Sequence, residues 1–579
     1  MITMFAKLWE MTGRAVAAAV AAICLILLVA VPAPAESLKP EGVAGLSHAE
    51  ALRLGERMYR QGLLPSGEPM LAIAQRDIEV EGTMFSCESC HLRSGLGAIE
   101  GKIVTLPTNA TELFKPFTSA AEETIPPWEK MPRSMQWHIR RPAYTDETLA
   151  LALSAGIDPA GREFNWTMPR YQLEDRDMQV LVYYLRHLSA APSPGVTETT
   201  IHFATVIAGD VPQRDRDAML SVLQAHVQAR STQTRLERER ARVGPFFERK
   251  MVFAYRQVEL SVWELKGPPA TWRRQLEEYY RQTPVFALLG GIANGEWAPI
   301  HAFCEESRIP CIFPLTDYPQ LADAGWYTLY FSRGLAQEGD AAARFLFGRN
   351  DVPVNAPVVQ VYRDDRDGHL IATAFRDARH RMGQNPPVDV VLSADTAPGA
   401  DFWRELADKH QGVVFLLWLS PRDLAGLEAL ATHPGRPAKL FVAAGLLGES
   451  LGVVPEKLRD LTCLTYPYRL PGERPRYLEV VKNWLKVKGI PATNLEIQTN
   501  AYFIGRFLTN ALMMMESDYY RDFFLDGIDM MNDEVYSIAY YPRLSFGPGQ
   551  RFASKGCYIV SLGKGENPSL EPLSDWVVH

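Results

Sequence analysis

From residue 200 onward, short and almost wholly apolar runs alternate with longer amphipathic stretches. The runs at 201–208, 258–265, 285–289 and 311–315 have the length and apolar content of buried strands. Between them, 214–232, 272–282 and 297–307 repeat apolar residues at helical spacing. The rhythm then recurs, with strands at 358–362, 388–392, 413–419 and 439–444 separated by helices at 371–381, 401–409 and 421–432. Alternating strands and helices predict parallel sheets with helices on both faces, because a parallel pair needs a long crossover. Two such blocks of similar size predict two lobes with a cleft between them. Helices at 474–488 and 495–515 and a late strand at 557–562 complete the pattern.

Before residue 200 the pattern differs. Ser47-His48-Ala49-Glu50 fits the Ser-x-x-Glu box that starts a helix, which runs through Tyr59 and is stopped by Gln61-Gly62. A last helix opens at Leu173 and carries Met178, Leu181, Val182, Leu185 and Leu188 at helical spacing. Pro192-Ser193-Pro194-Gly195 reads as a linker. The chain of 579 residues is too long for one ordinary domain. The division expected is an all-α unit over 47–190, a linker over 191–199 and an α/β unit over 200–579.

Composition adds a compartment. Lys7 and Arg14 precede and open an apolar run over 15–31, and Ala33-Pro34-Ala35 follows as an A-x-A cleavage site. This is the layout of a secretory signal peptide over 1–35, with an uncleaved anchor as the alternative. Cys24 lies inside the apolar run and is poorly placed for lipid attachment. The expected location is therefore the periplasm, with no membrane span once the signal is removed. A net charge of −8 without a basic block excludes nucleic acid as an expected partner. Setting aside Cys24 and the pair discussed next, Cys304, Cys311, Cys463 and Cys557 remain. Four thiols in an oxidising compartment permit two disulfides in three connectivities, or four buried free thiols.

Cys87-Glu88-Ser89-Cys90-His91 carries the clearest chemistry. C-x-x-C-H is the attachment sequence for a c-type haem, with Cys87 and Cys90 bonded to the macrocycle and His91 on the iron. A redox-active C-x-x-C and half of a zinc site are the competing readings. The first lacks a strand-then-helix context and the second lacks a nearby second ligand pair. One covalent haem c is the expected cofactor.

The first unit resembles a class I cytochrome c domain. The resemblance rests on the first helix, C-x-x-C-H, Met168-Pro169 and the last helix with Val182-Tyr183-Tyr184-Leu185-Arg186. It covers about a quarter of the chain. It implies that the terminal helices pack together and that Met168 is the second axial ligand, raising the potential as Met/His ligation does. Met131, Met178, His138 and His187 are the rivals for that position. Pro126-Pro127-Trp128 and Trp137 suggest a loop over a haem edge or ordinary surface packing.

The second unit looks like a type I periplasmic binding protein of the branched-chain amino-acid receptor class. The resemblance rests on Phe286-Ala287-Leu288-Leu289-Gly290-Gly291-Ile292-Ala293-Asn294-Gly295, on Arg308-Ile309-Pro310-Cys311-Ile312-Phe313-Pro314-Leu315-Thr316-Asp317, and on Thr465-Tyr466-Pro467-Tyr468 as a hinge crossing. It covers about two thirds of the chain. It implies a ligand cleft at the carboxyl ends of strands, with Ala293, Asn294, Gly295, Thr316 and Asp317 on its first lobe. Backbone N–H groups in these loops would hold a carboxylate. The usual small hydroxyl residue is replaced by Ala293 and Asn294, and Asp364, Asp365 and Asp367 are candidates for an acid facing an amine. A cleft that serves only to dock another protein is the alternative. The family that the second unit resembles returns its chain to the first lobe, which implies lobe one over 200–340 and 470–579 and lobe two over 350–465. The resemblance also sets the late strand beside the hinge, which motivates Cys463–Cys557 as a disulfide.

Together these readings predict a non-enzymatic periplasmic cytochrome carrying one electron on a His/Met-ligated haem, coupled to a ligand- or partner-binding domain. A quinoprotein dehydrogenase is the suggested redox partner. The alternatives are a solute-binding receptor of an ABC-type uptake or sensing system with the haem as redox sensor, and a haem enzyme such as a peroxidase.

Overall fold

A computed structural model describes residues 42–100, 103–118, 140–243, 256–322, 325–347, 357–395, 398–531 and 535–578. The signal segment, Pro126–Trp128, Met131, Trp137 and His138 lie outside them. The chain divides into two compact units, one formed by the residues up to His91 with Gly97–Ala190, the other by Leu92–Leu96 with Ala191–His579.

In the first unit, helix α1 (His48–Gln61) is capped by Ser47, whose hydroxyl accepts the Glu50 N–H, and ends at Gly62. A hairpin of β1 (Leu71–Ala74) and β2 (Ile78–Glu81) follows, then a short helix α2 (Cys87–His91). Helix α3 (Asp146–Ser154), strand β3 (Arg170–Gln172) and helix α4 (Asp175–His187) complete the frame. Strands β2, β1 and β3 form an antiparallel sheet in that order. The expectation of an all-α unit is thus corrected. Ala72 and Ala74 are buried while Leu71 is exposed, a period-2 pattern too short to stand out in the sequence. The turn uses Gln75 and Arg76 at φ +52° and +84°, without the Gly or Asn that normally announces a hairpin.

Helices α1 and α4 pack closely, burying Leu54, Met58, Tyr59, Leu181 and Leu185 in one cluster. Gly55 makes this approach feasible. A Cβ there would lie 2.4 Å from the Tyr184 Cβ and 2.9 Å from the Val180 carbonyl oxygen.

In the second unit, lobe one is built on six parallel strands. These are β4 (Thr200–Ala208), β5 (Gln257–Leu265), β6 (Ala287–Leu289), β7 (Ile292–Ala293), β8 (Cys311–Ile312) and β9 (Thr328–Leu329). Their order is β7-β4-β6-β8-β9, with β5 on the other edge of β4. Helices α5 (Gln213–Val243), α6 (Trp272–Gln282) and α7 (Ala298–Glu306) are its crossovers. Residues 191–199, expected as a linker, are tied down: Ser193 N–H donates to the Tyr519 carbonyl at 3.0 Å, and the Ser193 hydroxyl accepts the Arg521 N–H at 3.0 Å.

Lobe two begins with helix α8 (Leu335–Phe347) and continues as β10 (Val358–Arg363), α9 (Arg366–Arg381), β11 (Val388–Leu392), α10 (Ala400–Lys409), β12 (Val414–Trp418), β13 (Lys439–Ala443), α11 (Ala444–Leu447) and β14 (Thr462–Tyr466). The five strands are parallel in the order β11-β10-β12-β13-β14. The helix expected over 421–432 is instead two 3-10 turns, Pro421–Leu424 and Leu427–Leu430. Gly426 between them has φ +74°, and a Cβ there would sit 2.5 Å from the Ala400 N, so this turn presses on the start of α10.

The chain then returns to lobe one as α12 (Arg474–Lys488), α13 (Leu495–Met514) and α14 (Arg521–Asp529), whose Leu485, Phe503, Ile504, Phe507 and Phe524 join the lobe-one core. The late strand β15 (Gly556–Leu562) does not stay there. It pairs antiparallel with β14, and β16 (Leu570–Pro572) and β17 (Val577–Val578) pair with it, extending the lobe-two sheet. This moves the end of the chain from lobe one, where it was expected, to lobe two. It also corrects the Cys463–Cys557 disulfide. The register pairs Leu464 with Val560 and Tyr466 with Tyr558. Cys463 therefore faces the level of Ser561, four positions from Cys557, or roughly 13 Å along the strand. That span is beyond the reach of a disulfide.

Replacing Gly55 with Ala will force α1 and α4 apart and destabilise the first unit by about 1–3 kcal/mol. A urea titration followed by the fluorescence of that unit's tryptophans checks this, and an unchanged midpoint would refute the close crossing.

Candidate functional site

In both lobes the parallel strands end on the same side as the loops that follow them, and the polar residues of the cleft lie in those loops. Past β10, Arg363 and the run Asp364–Asp367 lead into α9. Past β12, Ser420 leads into the first 3-10 turn, Pro421–Leu424. Arg363, Asp365, Asp367, Ser420 and Asp423, with Trp418, line a cavity of ≈ 450 Å³ on lobe two. The wall is set by a buried ion pair. Arg363 donates to Asp423 at 2.6 Å, and Ser420 donates to the other Asp423 oxygen at 2.7 Å. Burial raises the Asp423 carboxyl, but these hydrogen bonds and the guanidinium charge outweigh it and hold the group below its ordinary value.

The three acids singled out in the sequence have different fates. Asp364 bonds to His369 at 2.7 Å on the surface. Asp365 caps α9 by accepting the Gly368 N–H at 2.9 Å. Asp367 faces lobe one. It is hydrogen-bonded to the Tyr318 hydroxyl, while its Oδ1 is buried with no hydrogen-bond partner among the described residues. Arg366 lies 3.8 Å over the Tyr318 ring. Burial and the bond to Asp367 push Tyr318 up to about 12.

On lobe one, the loops after β7 and β8 are adjacent, since Leu315 N–H donates to the Gly291 carbonyl at 2.8 Å. Ala293, Asn294, Gly295, Thr316 and Asp317 are thereby brought together. The expected carboxylate cradle is not free, however. Asn294 N–H is spent on the Ala208 carbonyl at 3.1 Å, its side-chain amide donates to the Asp210 carbonyl at 3.2 Å, and the Thr316 hydroxyl accepts the Tyr318 N–H at 3.1 Å. Asp317 keeps an exposed surface, yet the surrounding walls strip enough water to raise its carboxyl, with the Asp367 charge adding to the effect.

The stretch where the chain leaves β14 is aromatic. Tyr466 stacks edge-on to Tyr468 at 5.7 Å, Tyr468 lies 6.3 Å from Tyr541, and Arg474 donates to the Tyr466 hydroxyl. Beside it, Glu338 of α8 is 1% exposed and accepts three donors: Ala444 N–H at 2.8 Å, Gly445 N–H at 2.8 Å and the Thr465 hydroxyl at 2.6 Å. Burial pushes it up to about 7 against the pull of these donors. Tyr318, Arg366 and Glu338 were missed in the sequence. The run Arg363-Asp364-Asp365-Arg366-Asp367 directly after a strand was the available signal for the second.

In the first unit, Cys87–His91 is a single short helix. His91 Nδ1 lies 2.9 Å from the Leu106 carbonyl oxygen, which can only accept, so Nδ1 carries the proton and Nε2 keeps its lone pair. Burial lowers the His91 pKa to about 4 and raises the Cys87 thiol to about 12. Cys90 is exposed. Cys87, Met168 and Met178 all border the cluster of Met58, Tyr59 and Met70. His187 lies elsewhere, 5.1 Å from the His48 ring and bonded through Nδ1 to the Tyr183 carbonyl. No group of three or more His, Cys, Asp or Glu suited to a metal ion occurs among the described residues. No helix among them is long and apolar enough to cross a membrane.

No protein-family model and no curated protein matches the chain. Solved structures do. A fatty acid ABC transporter substrate-binding protein from Thermomonospora curvata is 14% identical, with a TM-score of 0.43 over 67% of this chain and 95% of that one. A branched-chain amino acid ABC transporter protein from Thermus thermophilus with bound valine is 14% identical, with a TM-score of 0.43 over 66% and 98%. An ABC transporter substrate-binding protein from Sphaerobacter thermophilus is 16% identical, with a TM-score of 0.45 over 66% and 98%. The reading of the chain as an electron carrier is corrected accordingly. A two-lobed α/β unit takes up about two thirds of the chain, which a one-electron carrier does not need. The quinoprotein dehydrogenase inferred as its redox partner goes with it.

Glu338 gives the second unit a pH signature. Its folded pKa of about 7 exceeds the ordinary 4.5, so its contribution to stability is full below about pH 4.5 and is lost as pH rises through about 7. The whole effect is roughly 3 kcal/mol. Urea midpoints between about pH 5 and pH 8 should fall with rising pH in the native chain and stay flatter in Glu338→Gln. Parallel curves would sink this assignment.

Proposed function

We propose that this protein is a solute-binding receptor of an ABC-type uptake or sensing system, taking a small molecule with a cationic group. The observation that carries this reading is Asp367. It lines the ≈ 450 Å³ cavity, reaches Tyr318 of the facing lobe and keeps one buried carboxylate oxygen without a hydrogen-bond partner among the described residues. Leaving such an oxygen unmet costs about 1–3 kcal/mol, more for a charged group, and an ammonium or guanidinium would recover it. Asp317 adds a second carboxylate that favours a cation in the same place. Because Tyr318 meets Arg366 and Asp367 across the lobes, a solute held there would bridge them and favour closure.

A thermal-shift screen of the full chain against amines, amino acids and neutral or anionic controls tests the reading, since a ligand of the folded state raises apparent stability by mass action. Amine-bearing compounds should shift the midpoint, and Asp367→Asn should weaken the response at least tenfold. A response to anionic compounds alone, or one untouched by the substitution, would overturn the cationic assignment.

For the first unit, the reading is a covalently held haem acting as redox sensor. Cys87 and Cys90 would hold it, and His91 Nε2 and Met168 would ligate its iron. The donor set fits: His91 is fixed through Nδ1 with Nε2 available, and Cys87 and Met168 border one apolar cluster. The group, when bound, supplies a one-electron couple. These residues attach it, orient it and keep it in an apolar setting. Protein exported from a host competent to attach c-type haem should retain Soret absorbance after denaturation and acid extraction. Cys87→Ser with Cys90→Ser should abolish it, and Met168→Ala should alter the visible spectrum of the folded chain. Colourless but folded native protein would refute the assignment.

A further inference from the structure

Four buried cysteines of the second unit take no part in the cleft, and two of them meet. Cys304 lies on the inner face of α7 and Cys311 opens β8, the strand that follows it. The turn between them folds back tightly: Ile309 N–H donates to the Cys304 carbonyl at 2.8 Å, and Arg308 adopts φ +53°. Both side chains are 0% exposed and sit in one core cluster with Trp263, Phe303 and Tyr330. Their sulfurs lie near enough to act on each other and on the Tyr330 hydroxyl.

We propose that Cys304 and Cys311 are the redox pair of this chain and form an intrachain disulfide that staples α7 to β8. The step is thiol–disulfide exchange with a disulfide oxidant R–S–S–R, either a protein or a small-molecule disulfide. The first thiolate attacks the oxidant and releases RSH as a mixed disulfide forms. The second thiolate then displaces the other RSH, so that two S–H bonds are replaced by one S–S bond and both electrons pass to the oxidant. In the folded, reduced chain the pair is sealed from solvent and burial raises the Cys304 thiol, so little thiolate is present. The exchange therefore belongs to folding, before the cluster closes. Once made, the bond is shielded from reductants for the same reason. It closes a short loop directly behind the two segments, Ile292–Gly295 and Thr316–Tyr318, that form the lobe-one wall. The inference is independent of what the cleft binds.

The test uses the full chain, denatured, reduced and refolded in a mixture of reduced and oxidised glutathione, then denatured and alkylated. Trypsin cuts after Arg308, between the two cysteines, so a disulfide leaves two peptides joined only through sulfur. The expected result is a linked pair about 2 Da lighter than the sum of the reduced peptides, separating on reduction, with Cys463 and Cys557 alkylated. The oxidised chain should also lose about 2–4 °C of melting temperature on full reduction, and Cys304→Ser should not. Alkylation of both Cys304 and Cys311 after oxidative refolding, or pairing of either with Cys463 or Cys557, would overturn the proposal. The peptide map is made on the native sequence, so it decides the matter even where the substitution impairs folding.

Discussion

Parallel pairing is the constraint on which the second unit depends. A parallel strand enters its sheet from the same end as its neighbours and leaves at the opposite one, so every connection must travel back along a face. Two consequences follow together. The returning helices cover both faces, which is why the strands can be buried on both sides, as Val414–Trp418 and Thr462–Tyr466 are. The loops that leave the strands collect along one edge. Thr316–Tyr318, Arg366–Asp367, Ser420–Asp423 and Ala444–Gly445 are far apart in sequence, yet each comes just after a strand, and strand direction alone gathers them by lobe.

The same constraint explains what could be read in advance. Long buried runs and amphipathic crossovers leave a strong trace, and helices at 272–282 and 474–488 and the strand at 388–392 match the observed bounds to the residue. Short elements leave none. The β1–β2 hairpin has four-residue strands and a turn made by Gln75 and Arg76, so its period could not be separated from a loop. The stretch from Pro421 carries helical spacing, but the contact of Gly426 with Ala400 breaks it into two turns, a tertiary effect invisible locally. The cleft was legible only as an address. The five lobe-one residues do come together, but which of their donors remain available depended on where Asn294 and Thr316 bond. Only Asp367 of the three acids turned out to face across the lobes, and its partner Tyr318 had no motif to announce it.

Buried carboxylates in this unit show two ways of handling charge. Asp423 is paired with Arg363 and Ser420 and held in its ionised form. Glu338 is given only neutral donors, three of them, which leaves burial in command of its proton. Asp423 behaves as fixed architecture at any ordinary pH. Glu338 joins α8, α11 and β14 at the place where the chain passes between lobes, so its proton bears on how these elements are held together.

Strand β15 gives the molecule a particular order of assembly. The parallel part of lobe two is complete when Tyr466 has been made, but the edge of β14 waits for Gly556–Leu562, some ninety positions later. In between comes α12–α14, which lobe one needs for its own core. During synthesis, therefore, neither lobe can finish before the other has nearly emerged, and an unpaired strand edge stands open throughout that interval. The two lobes are interlocked in time as well as in space, and a nascent chain of this kind depends on being kept from pairing with its neighbours until its last strand arrives.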